Sequence, residues 1–110
     1  MNRVILPNGD DRSVTTVVAD GENLDAAAVA RLREALLAAV AGPTPVVLDL
    51  SRVRFIDSSG LGLLVAAAMA ARPGFLEFTG VSRRLEPGLA RAPALAPFWR
   101  PKPKLGLLVA

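Results

Sequence analysis

The chain has 110 residues, 52% of them apolar, with no Cys, no His and a formal net charge of +3. That length and apolar content fit one domain, residues 1–110, with its own core. The missing residue types exclude a disulfide framework, thiolate or imidazole metal ligation, a Ser–His triad and a His phosphocarrier. The only lysines, Lys102 and Lys104, lie in a Pro-rich tail, so a Ser–Lys pair has little support and no enzyme and no cofactor are expected.

Residues 3–6 are short and apolar and predict an edge strand. Pro7-Asn8-Gly9-Asp10-Asp11 reads as a turn, with Asn-Gly as the hairpin signal. No extended apolar core precedes that turn, so no secretory signal is read and the expected location is cytoplasmic. Residues 13–19, Ser-Val-Thr-Thr-Val-Val-Ala, are rich in β-branched side chains and predict a strand antiparallel to the first.

Asp20-Gly21-Glu22-Asn23 breaks the pattern. Asp25 is a good helix N-cap, with Leu24 before it and Val29 placed as a hydrophobic staple. Val29, Leu32, Leu36 and Val40 recur at helical spacing, and Gly42-Pro43 ends that helix. Residues 46–50, Val-Val-Leu-Asp-Leu, predict a strand covered on both faces, as in a parallel sheet. A second helix is expected over 58–71. Its apolar run, from Gly60 to Ala71, falls short of the roughly 18 residues that a membrane span needs.

Arg72-Pro73-Gly74 stops this helix, and residues 75–79 predict another strand. Ser82 caps a third helix carrying Leu85, Leu89 and Ala92 on one face, its start delayed by Pro87. Residues 93–104, with Pro93, Pro97, Pro101 and Pro103, predict an extended or mobile segment. Residues 105–109 fit either a last strand or a disordered end. Through Val81 the chain holds seven Arg against nine Asp and Glu, net −2; from Ser82 onward four Arg and two Lys oppose only Glu86, net +5. Such a tail attracts anionic surfaces in principle. It carries no nucleic-acid motif, and a solvated basic segment is the expected reading, with no direct nucleic-acid partner. The element order implies a mixed α/β sheet of four or five strands: a hairpin, then alternating helices and strands with right-handed crossovers.

The stretch that stands out is Asp57-Ser58-Ser59-Gly60, between an apolar strand and an apolar helix. With Asp57 as N-cap, Ile56 and Leu61 form a staple and Ser59 falls on the exposed first turn. The start of a helix presents unpaired N–H groups and a partial positive charge. Gly60 and Gly62 each cost about 1 kcal/mol relative to Ala in a helix. They are expected to leave a bare backbone surface suited to close approach by a partner or a phosphate. Arg52 and Arg54 are expected on a solvated loop face.

Asp57-Ser58-Ser59-Gly60-Leu61-Gly62, preceded by Val47-Leu48-Asp49-Leu50 and Val53, Phe55 and Ile56, resembles the loop of bacterial anti-sigma factor antagonists. These are stand-alone members of the STAS domain family, which also forms the tails of sulfate transporters. Asp20-Gly21-Glu22-Asn23-Leu24-Asp25 is similar to the family's G-E-L-D before the first helix, with Asn23 inserted. The likeness covers roughly residues 14 to 92. It implies partner switching: the unphosphorylated chain binds an anti-sigma factor that is also a serine kinase, and phosphorylation of the second loop serine ends the interaction. Carried onto this chain, the phosphoacceptor is Ser59, and Asp25, Asp57, Ser58, Gly60 and Leu61 line the docking surface. The family also implies two alternatives. One is a constitutive accessory subunit of a membrane transporter, such as a lipid-handling ABC system; the other is a small-ligand or nucleotide-binding module. The absence of a Gly-x-x-x-x-Gly-Lys loop lends little to the last.

Overall fold

The central strand is β4, Val46–Asp49. Its side chains alternate, with Val46 and Leu48 1% and 0% exposed while Val47 and Asp49 are half-buried. In the computed structural model, which describes residues 2–5 and 11–99, β4 lies between two parallel neighbours. On one side β2, Asp11–Val18, aligns Thr15 with Val46 and Val18 with Asp49; on the other β6, Leu76–Thr79, aligns Leu76 with Val46 and Thr79 with Asp49. β1, Asn2–Ile5, closes the sheet as the antiparallel arm of a hairpin with β2. The order is β1-β2-β4-β6, the mixed sheet expected from the alternation of elements. The expected turn at residues 7–10 lies outside the described residues.

Two helices connect the parallel strands. α1, Ala26–Ala41, buries Ala28, Leu36 and Val40; α2, Ser58–Ala70, buries Gly60, Leu61, Leu63, Leu64 and Ala67. Because β2, β4 and β6 follow one another in chain order across the sheet, right-handed crossovers put both helices on one face, where they pack against each other. The opposite face carries Val47 and Asp49, half-buried, and Val18, Glu77 and Thr79, exposed. Among the described residues both long helices lie on the other face, although Val14, on this one, is only 6% exposed; the expected helical cover on both faces of β4 is found on one, because an apolar pentapeptide does not encode on how many sides helices will lie.

Leu24, Leu36, Leu48, Leu50, Leu63, Leu64 and Val53 form the middle of the core, each 2% exposed or less. Each such side chain, fully buried, contributes about 1.5–3 kcal/mol. A second, two-residue parallel ladder joins β3, Asn23–Leu24, to β5, Phe55–Ile56. It is too short to leave a periodic signature, and the sequence does not predict it.

After β6 the chain turns through Ser82, whose Oγ accepts from the Leu85 N–H at 3.2 Å. α3 then runs Glu86–Ala90 with Pro87 in its first turn, where the missing N–H costs nothing. The expectation of an extended segment from residue 93 is corrected for residues 93–99. Pro93–Leu95 is a 3-10 turn and Ala96–Trp99 a short helix, α4. Leu95 is fully buried, the Phe98 ring stacks on Phe78 with centroids 5.7 Å apart, and Trp99 packs on the core. The prolines sit in first turns, which is why they do not prevent helix. The rest of the 93–104 segment and the strand or disordered end expected over 105–109 lie outside the described residues.

Candidate functional site

The site is assembled from the loops that precede the two long helices. The β3–β5 ladder aligns Asn23 with Phe55 and Leu24 with Ile56. The next residue on each strand, Asp25 and Asp57, is an N-cap. Asp25 Oδ1 accepts from the Ala28 N–H at 3.1 Å and Asp57 Oδ1 from the Gly60 N–H at 3.0 Å. Two helix N-termini thus stand side by side, each closed by a carboxylate that satisfies one orphan donor of the first turn.

The loops are tied together mostly through the backbone. The Glu22 carbonyl accepts from the N–H groups of Arg54 (2.7 Å) and Phe55 (3.0 Å), and the Leu24 carbonyl accepts from the Asp57 N–H at 3.4 Å. Arg52 Nη1 lies 2.9 Å from Asp20 Oδ1 and Arg54 Nε 3.3 Å from Glu22 Oε1. Both arginines do lie on a solvated face. All four side chains are more than half exposed, so each pair adds no more than about 1 kcal/mol. At the mouth of β4, Asp49 Oδ1 accepts from the Ser51 N–H at 2.8 Å. The Ser51 hydroxyl, then this backbone bond, then the charge of Arg52 hold the Asp49 carboxyl below its ordinary value against a small desolvation cost.

The sequence-derived site residues divide into two groups. Asp57, Ser58 and Ser59 are exposed and Asp25 is half-buried. Capping is done by Asp57, so the Ser59 hydroxyl is not spent on it. Gly60 and Leu61 face the other way, both buried, Leu61 only 9% exposed. The picture of Gly60 as bare surface is corrected. A Cβ there would stand 2.2 Å from the Leu24 carbonyl oxygen and 2.7 Å from Ile56 Cγ1, so Gly60 is small to let the two loops meet. Gly62 is the glycine that faces solvent, with open space around its missing side chain.

Two exposed apolar side chains beside this site were not singled out from sequence. Phe55, 54% exposed, lines a shallow depression with Asn23, Leu24, Asp25, Ile56 and Asp57. No periodicity across four residues separates an outward Phe from an inward one. Met69, 82% exposed, lies on the outer face of α2 two turns beyond Gly62. Here a signal exists: α2 has no charged residue over its length, and a helix apolar all round cannot bury every face against one sheet and one neighbour. The arrangement offers a presented hydroxyl, flanking carboxylates and an uncharged helical face. Among the described residues no helix is long and apolar enough to cross a membrane.

Comparison with known proteins agrees with this architecture. The family whose model matches, over residues 9–93, is described as "Mlab, STAS domain". Among solved structures, a sulfate transporter family protein from Wolinella succinogenes is similar in fold. It has a TM-score of 0.63 and 20% sequence identity, over 86% of this chain and 84% of that one. No curated protein matches the chain.

Proposed function

We propose, from the premise that the chain belongs to the STAS domain family, that it is a docking module switched by phosphorylation of Ser59. On this reading it is a cytoplasmic anti-sigma factor antagonist. It binds an anti-sigma factor that is also a serine kinase, releasing the sigma factor, and lets go when Ser59 is esterified. The observation that carries the proposal is the exposed Ser59 in the first turn of α2, next to a cap, Asp57, that leaves its hydroxyl available.

The physical chemistry supports such a switch. A phosphate on Ser59 brings about −1.5 to −2 charges. The first turn of α2 tolerates an anion, because its N–H groups and dipole favour one, so the fold persists. Asp57 and a partner surface shaped around a neutral hydroxyl do not: an uncompensated charge buried at a contact costs several kcal/mol. The change is local electrostatics read by a second protein, without refolding. Docking draws on the outer face of α2, where Gly62 admits a close approach and Met69 supplies apolar area.

The test uses candidate anti-sigma factor serine kinases from the same genome. Wild type takes label from radioactive ATP. Ser59→Ala stays folded, takes none and binds the kinase as wild type does. Ser59→Asp weakens binding on the order of 100-fold, about 2.7 kcal/mol. Full labelling of Ser59→Ala rejects the site, and unchanged affinity of Ser59→Asp by calorimetry rejects the electrostatic mechanism. A second reading is suggested by the sulfate transporter family to which the structural neighbour belongs. It makes the chain a constitutive subunit of a membrane transporter, docked through the same face. That reading expects stable co-purification with a permease or ATPase, unaltered by Ser59→Ala and with no phosphate on Ser59.

A further inference from the structure

β6, Leu76–Thr79, ends the four-stranded sheet: among the described residues it pairs only with β4. The Phe75 and Thr79 carbonyls accept from the Val46 and Leu50 N–H groups, each at 2.8 Å. Backbone groups of successive residues in a strand point to opposite sides, so the N–H and C=O groups of Leu76 and Phe78 face the free edge. Such an edge is a template for another strand, and natural sheets often block it with Pro, Lys or a bulge. β6 has none of these. Its one charge, Glu77, is exposed and has no ion pair among the described residues. The chain itself returns to this edge. Phe98 of α4 stacks on Phe78 at 5.7 Å, so α4 brings the backbone back to β6. After it follow Arg100-Pro101-Lys102-Pro103-Lys104 and then Leu105-Gly106-Leu107-Leu108-Val109.

We propose that residues 105–109 add to the free edge of β6 as a fifth strand, parallel to it. Residues 100–104 reach up to about 17 Å, more than the roughly 13 Å length of β6, so the added strand can begin at the same end as β6. The direction follows from the topology. β2, β4 and β6 are parallel and joined by helical crossovers. Residues 80–99 form a third crossover, with α4 on the face of the sheet that packs α1 and α2. A right-handed continuation lays the next strand beside β6 in the same sense. Alternation gives that strand two faces. Leu105, Leu107 and Val109 extend the apolar side under α4, and Lys104, Gly106 and Leu108 lie on the side of Glu77. Residues 100–109 hold three bases and no acid, so segment and edge are complementary in charge, while the new ladder supplies the hydrogen bonds. The edge is thereby sealed against pairing with a second copy. The inference is independent of the Ser59 reading.

The experiment is NMR of the full chain, reading NOEs and amide hydrogen exchange. The expected result is NOEs from residues 105–109 to Leu76 and Phe78 in the parallel pattern, with slow exchange of those two amides at every protein concentration. In this arrangement the Leu108 N–H donates to β6. Leu108→Pro removes that donor and should speed exchange of the Leu76 and Phe78 amides at least tenfold, leaving those of Val46 and Leu48 as in wild type. Lys104→Glu places a like charge beside Glu77 and should speed exchange about threefold; adding Glu77→Lys should restore the wild-type rate. Fast exchange of both amides in wild type, with no NOE to β6, overturns the fifth strand. Antiparallel NOEs overturn its direction. Protection that survives Leu108→Pro overturns the assignment of residues 105–109. Protection that falls on dilution gives the edge to a second copy and overturns the intramolecular occupant.

Discussion

Leu24 and Gly60 meet backbone to backbone: a side chain begun at Gly60 would stand 2.2 Å from the Leu24 carbonyl oxygen. This contact presses the start of α2 against the loop that starts α1. It brings the two caps, Asp25 and Asp57, to the same edge of the molecule and turns Ser59 outward.

Gly60→Ala and Gly62→Ala therefore have opposite effects, although both replace glycine by the best helix former. At Gly60 the added methyl collides with backbone, which cannot rotate away. We expect a net loss of about 1–3 kcal/mol, seen as a lower urea midpoint at unchanged m. At Gly62 nothing lies within 4 Å, so the variant gains about 0.5–1 kcal/mol from helix propensity and reduced freedom of the unfolded chain. If Gly62 also gives a partner close approach, the stabler protein binds more weakly. A loss of stability in Gly62→Ala would show that its surroundings are not open.

Asp57 serves as a cap and also contributes a charge, and the two can be separated. Asp57→Ala removes the bond to the Gly60 N–H and should cost about 1 kcal/mol, or roughly 4 °C in Tm. Asp57→Asn keeps an acceptor of nearly equal capping quality and should stay within a few tenths of wild type. Asp25 should repeat this pattern at α1. Thermal melts in which Asn loses as much as Ala would mean that the charge, not the cap, holds the turn.

The Asp49 carboxyl is held below its ordinary value of 3.8, first by the Ser51 hydroxyl and then by the Ser51 N–H. A depressed folded pKa means that the unfolded chain binds a proton more readily. The resulting stability is fully present above the unfolded pKa and is lost as pH falls through the lower folded value. Wild type should thus lose more stability than Asp49→Asn between pH 5 and the acid limit, and the two should run parallel above pH 5. Urea midpoints measured across that range check this; equal acid slopes would remove Asp49 as a contributor.

What was legible in the sequence follows from the length of its signals. β2, α1, β4, α2 and β6 could be read because four or more residues repeat a period or end on a cap, as Asp25 and Asp57 do. The exposure of Ser59 was readable for the same reason, since a cap at Asp57 fixes where the next residues point. The β3–β5 ladder was not readable, because two residues carry no period. The inward position of Gly60 was not either, because it is set by Leu24, far away in sequence. Nor was the placing of both long helices on one face of the sheet: Val46 to Leu50 reads the same whether helices cover one side or two. Pro93 and Pro97 suggested extended chain, but proline in a first turn is as permissible as proline in a tail, and the choice was made by Leu95 and Phe98 finding the core.

Phe98 tests that last choice. Its ring stacks on Phe78 at 5.7 Å and an interplanar angle of 28°, and Phe78 is only 3% exposed. α4 thus closes the core over β6 instead of hanging from it. Phe98→Ala should cost about 2 kcal/mol, less than a fully buried Phe because the ring is half-buried. Phe98→Leu should recover most of the apolar area but not the ring–ring term of about 0.5–1.5 kcal/mol. In hydrogen exchange, the amides of β6 should lose protection in Phe98→Ala, while those of α1, on the far side of the helical layer, lose only what the global change in stability requires. A variant with wild-type stability and unchanged exchange in β6 would show that the segment from Pro93 is not part of the folded unit.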